Sequence, residues 1–140
     1  MRRVILSQDA AAPVGPYPHA VRVGNWLFLS GIGPRQRGSA EIPGVIRDAD
    51  GRVVEYDFEA QCHAVFRNIG HILRAAGARW EDIVDVTAFL VDIERDFAAF
   101  NRVYARYLGH VQACRTTVEV RRLPTPIAIE LKCIAYVEDR

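Results

Sequence analysis

The 140-residue chain is short of the residues on which most cofactor and scaffold chemistries depend. Its three cysteines, Cys62, Cys114 and Cys133, are odd in number and lack a C-x-x-C spacing, so neither a disulfide framework nor a zinc set is expected. They read as small buried hydrophobes in a reducing compartment. The histidines, His19, His63, His71 and His110, show no H-x-x-x-H or H-E-x-x-H pattern, so no metal is predicted. Gly31-Ile32-Gly33 lacks the third glycine of a dinucleotide fingerprint, and no serine sits in G-x-S-x-G, so no cofactor and no serine nucleophile is expected. No apolar run approaches the length of a membrane span, and the stretch after Met1-Arg2-Arg3 is too brief for a signal peptide, which predicts a soluble cytoplasmic protein. Basic and acidic residues nearly cancel, 18 against 17, so a broad electropositive field for nucleic acid is not expected. All the basic residues except Lys132 are arginine.

Half the residues are hydrophobic, enough for one domain over residues 1–140 with a core of its own. Ala20-Val21-Arg22-Val23 and Trp26-Leu27-Phe28-Leu29-Ser30 flank Gly24-Asn25, a hairpin signal. Gly31 to Arg52 has no period and reads as a long surface loop, with Gly51-Arg52-Val53-Val54 as a short strand at its end. Phe58, Cys62, Val65, Phe66, Ile69, Leu73 and Ala76 then fall on one helical stripe, with Asp57 as its cap and Gly77 as its stop. Ile83 to Val91 is apolar on both parities and predicts a strand covered on both sides. A second helix follows, with Asp96 as cap, Phe97, Phe100, Tyr104, Tyr107 and Leu108 inward, and Gly109 as stop. Thr116 to Val120 and Ile127 to Val137 complete the order β-β-α-β-α-β-β, an α+β layer with two helices on one sheet face. The strands are too apolar to leave the other face wet, which predicts association with further copies.

Chemistry centres on Glu130, a carboxylate inside Ile127-Ala128-Ile129-Glu130-Leu131-Lys132-Cys133. A lone buried carboxylate is costly, so it is paired, solvated in a cavity, or partly protonated. Arg115 is the nearest candidate cation, Lys132 a rival on the same parity, and a purely structural ion pair stands beside a functional one. The hydroxyls Tyr17, Ser30, Thr117 and Tyr136 gain interest only if they converge on Arg115, and Asn101 lies on the second helix. With no metal, nucleotide or nucleophile signature, what is left is an arginine that fixes an anion and a glutamate that handles water or a proton.

Gly15-Pro16-Tyr17-Pro18-His19-Ala20-Val21, Leu29-Ser30-Gly31, Gln61 with Asn68, Ala76-Gly77-Ala78, Asp82-Ile83-Val84, Tyr104, Arg115-Thr116-Thr117-Val118-Glu119-Val120, Leu123-Pro124 and Ile129-Glu130 together resemble the Rid (YjgF) family, from about Pro13 to Val137. The resemblance implies a chorismate-mutase-like α+β fold and a homotrimer with its sites in clefts between subunits. It implies a hydrolytic deaminase of a carboxylate-bearing enamine or imine, with Arg115 on the carboxylate, Glu130 on the water, and Tyr17, Ser30, Asn101 and Thr117 lining the cleft. Thr117 stands where relatives commonly have cysteine, Ala113 where they have proline, and Ile32 where they have glutamine. The longer arginine-bearing loop from Gly33 to Val53 looks more like the 2-aminomuconate deaminases of aromatic catabolism, whose six-carbon dicarboxylate would need a second cation such as Arg35, Arg37 or Arg121. The alternatives are a general 2-iminobutanoate/2-iminopropanoate deaminase and a non-catalytic trimer that binds a small acid or RNA.

Overall fold

The computed structural model describes residues 1–139 and places two helices on one face of a six-stranded mixed sheet. The strands are β1 (Arg2–Ile5), β2 (Ala20–Val23), β3 (Trp26–Leu29), β6 (Ile83–Leu90), β7 (Cys114–Glu119) and β8 (Ile129–Tyr136), and the helices are α1 (Phe58–Ala75) and α2 (Ile93–Leu108). A separate hairpin, β4 (Val45–Arg47) and β5 (Val53–Tyr56), occupies the end of the long loop. The sheet runs β1-β2-β3-β8-β6-β7. Every pairing is antiparallel except β6 with β7, which α2 joins as a parallel crossover. The order expected from sequence is present, the short strand expected at the end of the long loop is β5, and β1 and β4 are added to it.

Local chemistry explains where the elements start and stop. Asp57 Oδ1 accepts from the Ala60 backbone N–H at 3.1 Å and caps α1. Gly77, at φ +70°, ends it in a Schellman arrangement, with Ala78 N–H donating to Leu73 O at 2.8 Å and Gly77 N–H to Arg74 O at 3.1 Å. The second cap differs from expectation. Asp92, not Asp96, accepts from Arg95 N–H, so α2 begins a turn earlier. Asp96 is instead a buried first-turn carboxylate, bound twice at 2.8 Å by Arg95, where it also faces the positive end of the helix dipole.

The core lies between the helices and one sheet face. Phe66, Ile69 and Phe100 from the helices meet Leu27, Leu29, Val86, Ala88, Leu90, Ile129, Leu131 and Ala135 from the strands, all of them fully or almost fully buried. The other parity of the same strands carries no helix. It exposes Trp26, Phe28, Val118 and Tyr136, and the Trp26 and Tyr136 rings meet edge-on at 5.0 Å. This is the uncovered apolar face that the sequence anticipates. Two residues expected inside are not. Cys114 is exposed because its register partner is Asp85, on the helix-free face, and Phe97 is 40% exposed at the rim of α2. No helix among the described residues is long and apolar enough to cross a membrane.

Asp57→Ala removes the α1 cap without touching the core. We expect a loss of about 1 kcal/mol, read as a lower urea midpoint with an unchanged slope.

Candidate active site

The polar residues singled out from sequence fall into two groups on opposite sides of the sheet. The first lies between β7 and α2. Arg115 shares its face with Val86 and so points toward the helices. Residues four apart on α2 line up to receive it. The guanidinium carbon stands over Tyr104 at 4.8 Å, Phe100 at 4.9 Å and Phe97 at 5.7 Å, and Nη2 donates to Asn101 Oδ1 at 2.7 Å. Such rings stabilise a cation without neutralising it. Among the described residues no carboxylate pairs with Arg115. Two residues further along the same face, the Thr117 hydroxyl is buried with no hydrogen-bond partner among the described residues.

The second group surrounds Glu130. Its register partner is Phe89, which places it on the helix-free face. Its carboxylate lies against Gly31 so closely that a Cβ there would come within 2.5 Å of Oε2. A larger residue there would push the carboxylate aside. Gly31, Ser30, Tyr17 and Arg35 line a partly open hollow whose enclosed space is about 10 Å³, little more than room for a water molecule. Burial raises the Glu130 carboxyl above its ordinary value, and the Arg35 guanidinium opposes the rise. Lys132, the rival partner, donates to Leu29 O at 2.7 Å instead.

The walls of the hollow are tied by buried polar groups. His19 Nδ1 accepts from Ser7 N–H at 3.0 Å, which leaves Nε2 as the donor to Ala11 O at 2.7 Å and fixes a neutral tautomer. Asn68 accepts from Ala11 N–H at 3.1 Å and donates to Gly33 O and Arg35 O at 3.0 and 2.7 Å. Ser30 Oγ donates to Pro18 O at 2.7 Å. Arg37 holds the carbonyls of Ala10 and Ser7, and Arg35 Nη1 donates to Ala12 O. The importance of His19 and Asn68 is missed when only the chemistry-bearing residues are read. The available signal is an amide at position 68 on the apolar stripe of α1.

Arg115 and Glu130 do not meet within one chain. They sit on opposite sheet faces with β6 between their strands, so the simple Arg115–Glu130 pair considered from sequence does not form there. Tyr17 and Ser30 line the hollow, Glu130 lies against Gly31 of its wall, and Asn101, Arg115 and Thr117 belong to the other group. Other chemistries find little purchase. Burial pushes the Cys62 and Cys133 thiols up to about 12, far from a working thiolate. Among the described residues no three His, Cys, Asp or Glu side chains form a group able to hold a metal ion.

Two outcomes test this geometry. Gly31→Ala should displace the Glu130 carboxylate at a cost in stability below about 1 kcal/mol, with the displacement visible in the carboxyl carbon resonance. Because the folded state raises the Glu130 value, its contribution to stability is present below the unfolded value and lost as pH rises through the folded one. Glu130→Gln is therefore expected to raise Tm at neutral pH, with the gain shrinking toward acid pH.

Comparison with known proteins agrees with the fold. The Endoribonuclease L-PSP family matches residues 7–137. A RutC family protein of Pyrococcus horikoshii is 41% identical over 99% of this chain and 100% of its own length. A 2-iminobutanoate/2-iminopropanoate deaminase of Dermatophagoides farinae is 35% identical over 98% of each. The crystal structure of E. coli TdcF with bound serine superposes with a TM-score of 0.82 at 32% identity, covering 97% of this chain and 99% of that one. With its two helices on a mixed sheet in the chorismate-mutase-like arrangement and its matched length, the chain belongs to the Rid (YjgF) family, the group described as Endoribonuclease L-PSP.

Proposed function

We propose that this protein is a hydrolytic deaminase of 2-imino acids and their enamine tautomers, working as a homotrimer whose sites are completed between copies. The observation that carries the reading is Arg115: a guanidinium with no carboxylate partner among the described residues, oriented by Asn101 and three rings. A planar fork of this kind suits a carboxylate guest. The deaminase name of the Dermatophagoides relative and the serine held by TdcF, an amino acid with its own carboxylate, support the same substrate class.

Two half-sites on opposite surfaces become one site only if a surface of one copy meets a different surface of the next. Such a heterologous contact closes as a ring, whereas a two-fold dimer joins like to like. The helix-free face with Trp26, Phe28, Val118 and Tyr136 supplies apolar area for the contact.

In the proposed reaction Arg115 of one copy holds the substrate carboxylate while the hollow of its neighbour receives the nitrogen-bearing carbon. An enamine first takes a proton from solvent on carbon to become the iminium, C=NH2+, the form in which an imine also reacts. Water adds to that carbon with Glu130 accepting its proton, and the iminium nitrogen becomes the amine of a neutral carbinolamine. The proton on Glu130 then passes to that nitrogen, the C–N bond breaks as the carbinolamine hydroxyl gives its proton back to Glu130 and thence to solvent, and ammonia and a 2-oxo acid leave. Positioning contributes much of the acceleration for a substrate already prone to hydrolysis, and the base adds on the order of 10²–10⁴.

The names of relatives favour short 2-imino acids over 2-aminomuconate. The dicarboxylate would need a further cation in the hollow, and Arg35 lines it. Arg37 is committed to the carbonyls of Ser7 and Ala10, and Arg121 lines a different hollow together with Arg122. Ammonia release from 2-iminobutanoate and from 2-aminomuconate separates the two.

Arg115→Ala should lower kcat/KM by about 100-fold or more, and Glu130→Gln by on the order of 10²–10⁴. Mixing the two variants under conditions of subunit exchange is expected to restore part of the activity, because some clefts then pair an intact Arg115 with an intact Glu130. No recovery in demonstrably mixed oligomers would reject sites shared between copies.

A further inference from the structure

Past the end of β7 the chain runs through Arg121, Arg122, Leu123 and the Pro124-Thr125-Pro126 turn before it enters β8. This connection and Tyr56, the last residue of β5, border a half-open hollow of about 390 Å³. Pockets that take small organic molecules enclose roughly 300–1,000 Å³. The lining divides by chemistry. Arg121 and Arg122 supply charge, and Tyr56, Val91, Leu123 and Ile127 supply apolar surface. Among the described residues no aspartate or glutamate lines it, and it shares no lining residue with the hollow at Gly31.

The two guanidiniums are uncompensated. Among the described residues neither makes a side-chain hydrogen bond or an ion pair, whereas those of Arg95, Arg102 and Arg115 are all engaged. Successive side chains of an extended segment point to opposite sides, yet Arg121 and Arg122 line one space, because the chain bends there. Two like charges face the same opening, and a carboxylate between them relieves the repulsion and accepts from both forks. The walls are already fixed. Val120 N–H donates to Leu90 O at 2.8 Å, Val91 N–H to Ala128 O at 3.1 Å, and Ala128 N–H to the buried Gln61 Oε1 at 2.7 Å. Thr125 is held at φ +62° between two prolines, a backbone unfavourable for a β-branched residue, and Ile127 N–H closes the turn on Thr125 O at 2.9 Å. Walls set in advance leave little ordering to offset on binding.

We infer that this hollow binds a small organic acid with an apolar body: Arg121 and Arg122 take the carboxylate, and the body lies on Val91, Leu123, Ile127 and the Tyr56 ring. An inorganic anion leaves the apolar wall unused, and a neutral hydrophobe leaves the charges unmet. The site is distinct from the Arg115 and Glu130 groups and does not depend on the deaminase reading.

The probe is 3-phenylpropanoate, with sulfate as charge alone and 3-phenylpropan-1-ol as apolar body alone. Because Arg115 is a second possible carboxylate site, binding is followed residue by residue, through backbone amide shifts of isotope-labelled wild type, Arg115→Ala and the double variant R121Q/R122Q. Saturable shifts at Tyr56, Val91, Leu123, Thr125 and Ile127 are expected, with the same affinity in R115A and an affinity weaker by roughly tenfold or more in R121Q/R122Q. Sulfate and the alcohol should bind there at least about tenfold more weakly than the acid. Both arginines are exposed and unbonded, so the double variant keeps its fold, which an unchanged urea midpoint checks. Leu123→Gln, which alters the apolar wall alone, should weaken the acid and leave sulfate unaffected. Shifts confined to the surroundings of Arg115 overturn the inference, and so do shifts in the 121–127 connection that keep full affinity in R121Q/R122Q. Sulfate bound as tightly as the acid marks a bare basic patch and overturns it as well.

Discussion

The two-residue period of a β-strand governs the chemistry available to this protein. Side chains alternate between faces, and the sheet register assigns Arg115 to the side of Val86 and Glu130 to the side of Phe89. No rotamer change brings a guanidinium and a carboxylate together through a packed sheet. Three features go with that separation: a cation cradled by aromatic rings on one side, an acid against a glycine on the other, and an apolar surface with no helix over it. On the proposed reading, a working site therefore needs two molecules.

Each half of the site is prepared in a manner suited to its charge. The cation needs to remain charged and oriented yet free of an internal anion, and π faces with one amide oxygen achieve that. The acid is treated differently, since burial raises its affinity for a proton. A glycine wall lets it retreat from water, and an arginine at the rim limits the electrostatic cost. Behind both the hollow and its rim stands a buried network of His19, Asn68 and Ser7, in which each side chain is matched to backbone groups rather than to other side chains. Such a network fixes loop geometry with little dependence on ionic strength.

Much of the fold is legible in the sequence because its signals are local. The α1 stripe, the Asp57 cap, the Gly77 stop and the long apolar β8 all follow from spacing and turn chemistry. Elements defined by partners are not. β1 is four residues long and exists through its pairing with β2, and the β4–β5 hairpin is equally short. The start of α2 is ambiguous from spacing because Asp92 and Asp96 are one turn apart and both precede apolar residues. Phe97 and Cys114 look like interior residues, but hydrophobicity says nothing of which face the register assigns. For the same reason the sequence points to the chemical roles of Arg115 and Glu130 yet is silent on their mutual placement: parity can be counted along one strand but not between strands before pairing is known.

The outermost strand has a consequence for how copies meet. β1 carries Arg2 and Arg3 in adjacent positions at the free rim of the sheet. A second β1 approaching to extend the hydrogen-bonded ladder would bring four guanidinium groups into mutual repulsion, the usual device by which proteins blunt fibril-like growth. Continuation along the ladder is thereby disfavoured at that end, and stacking through the broad aromatic surface is left as the route to assembly.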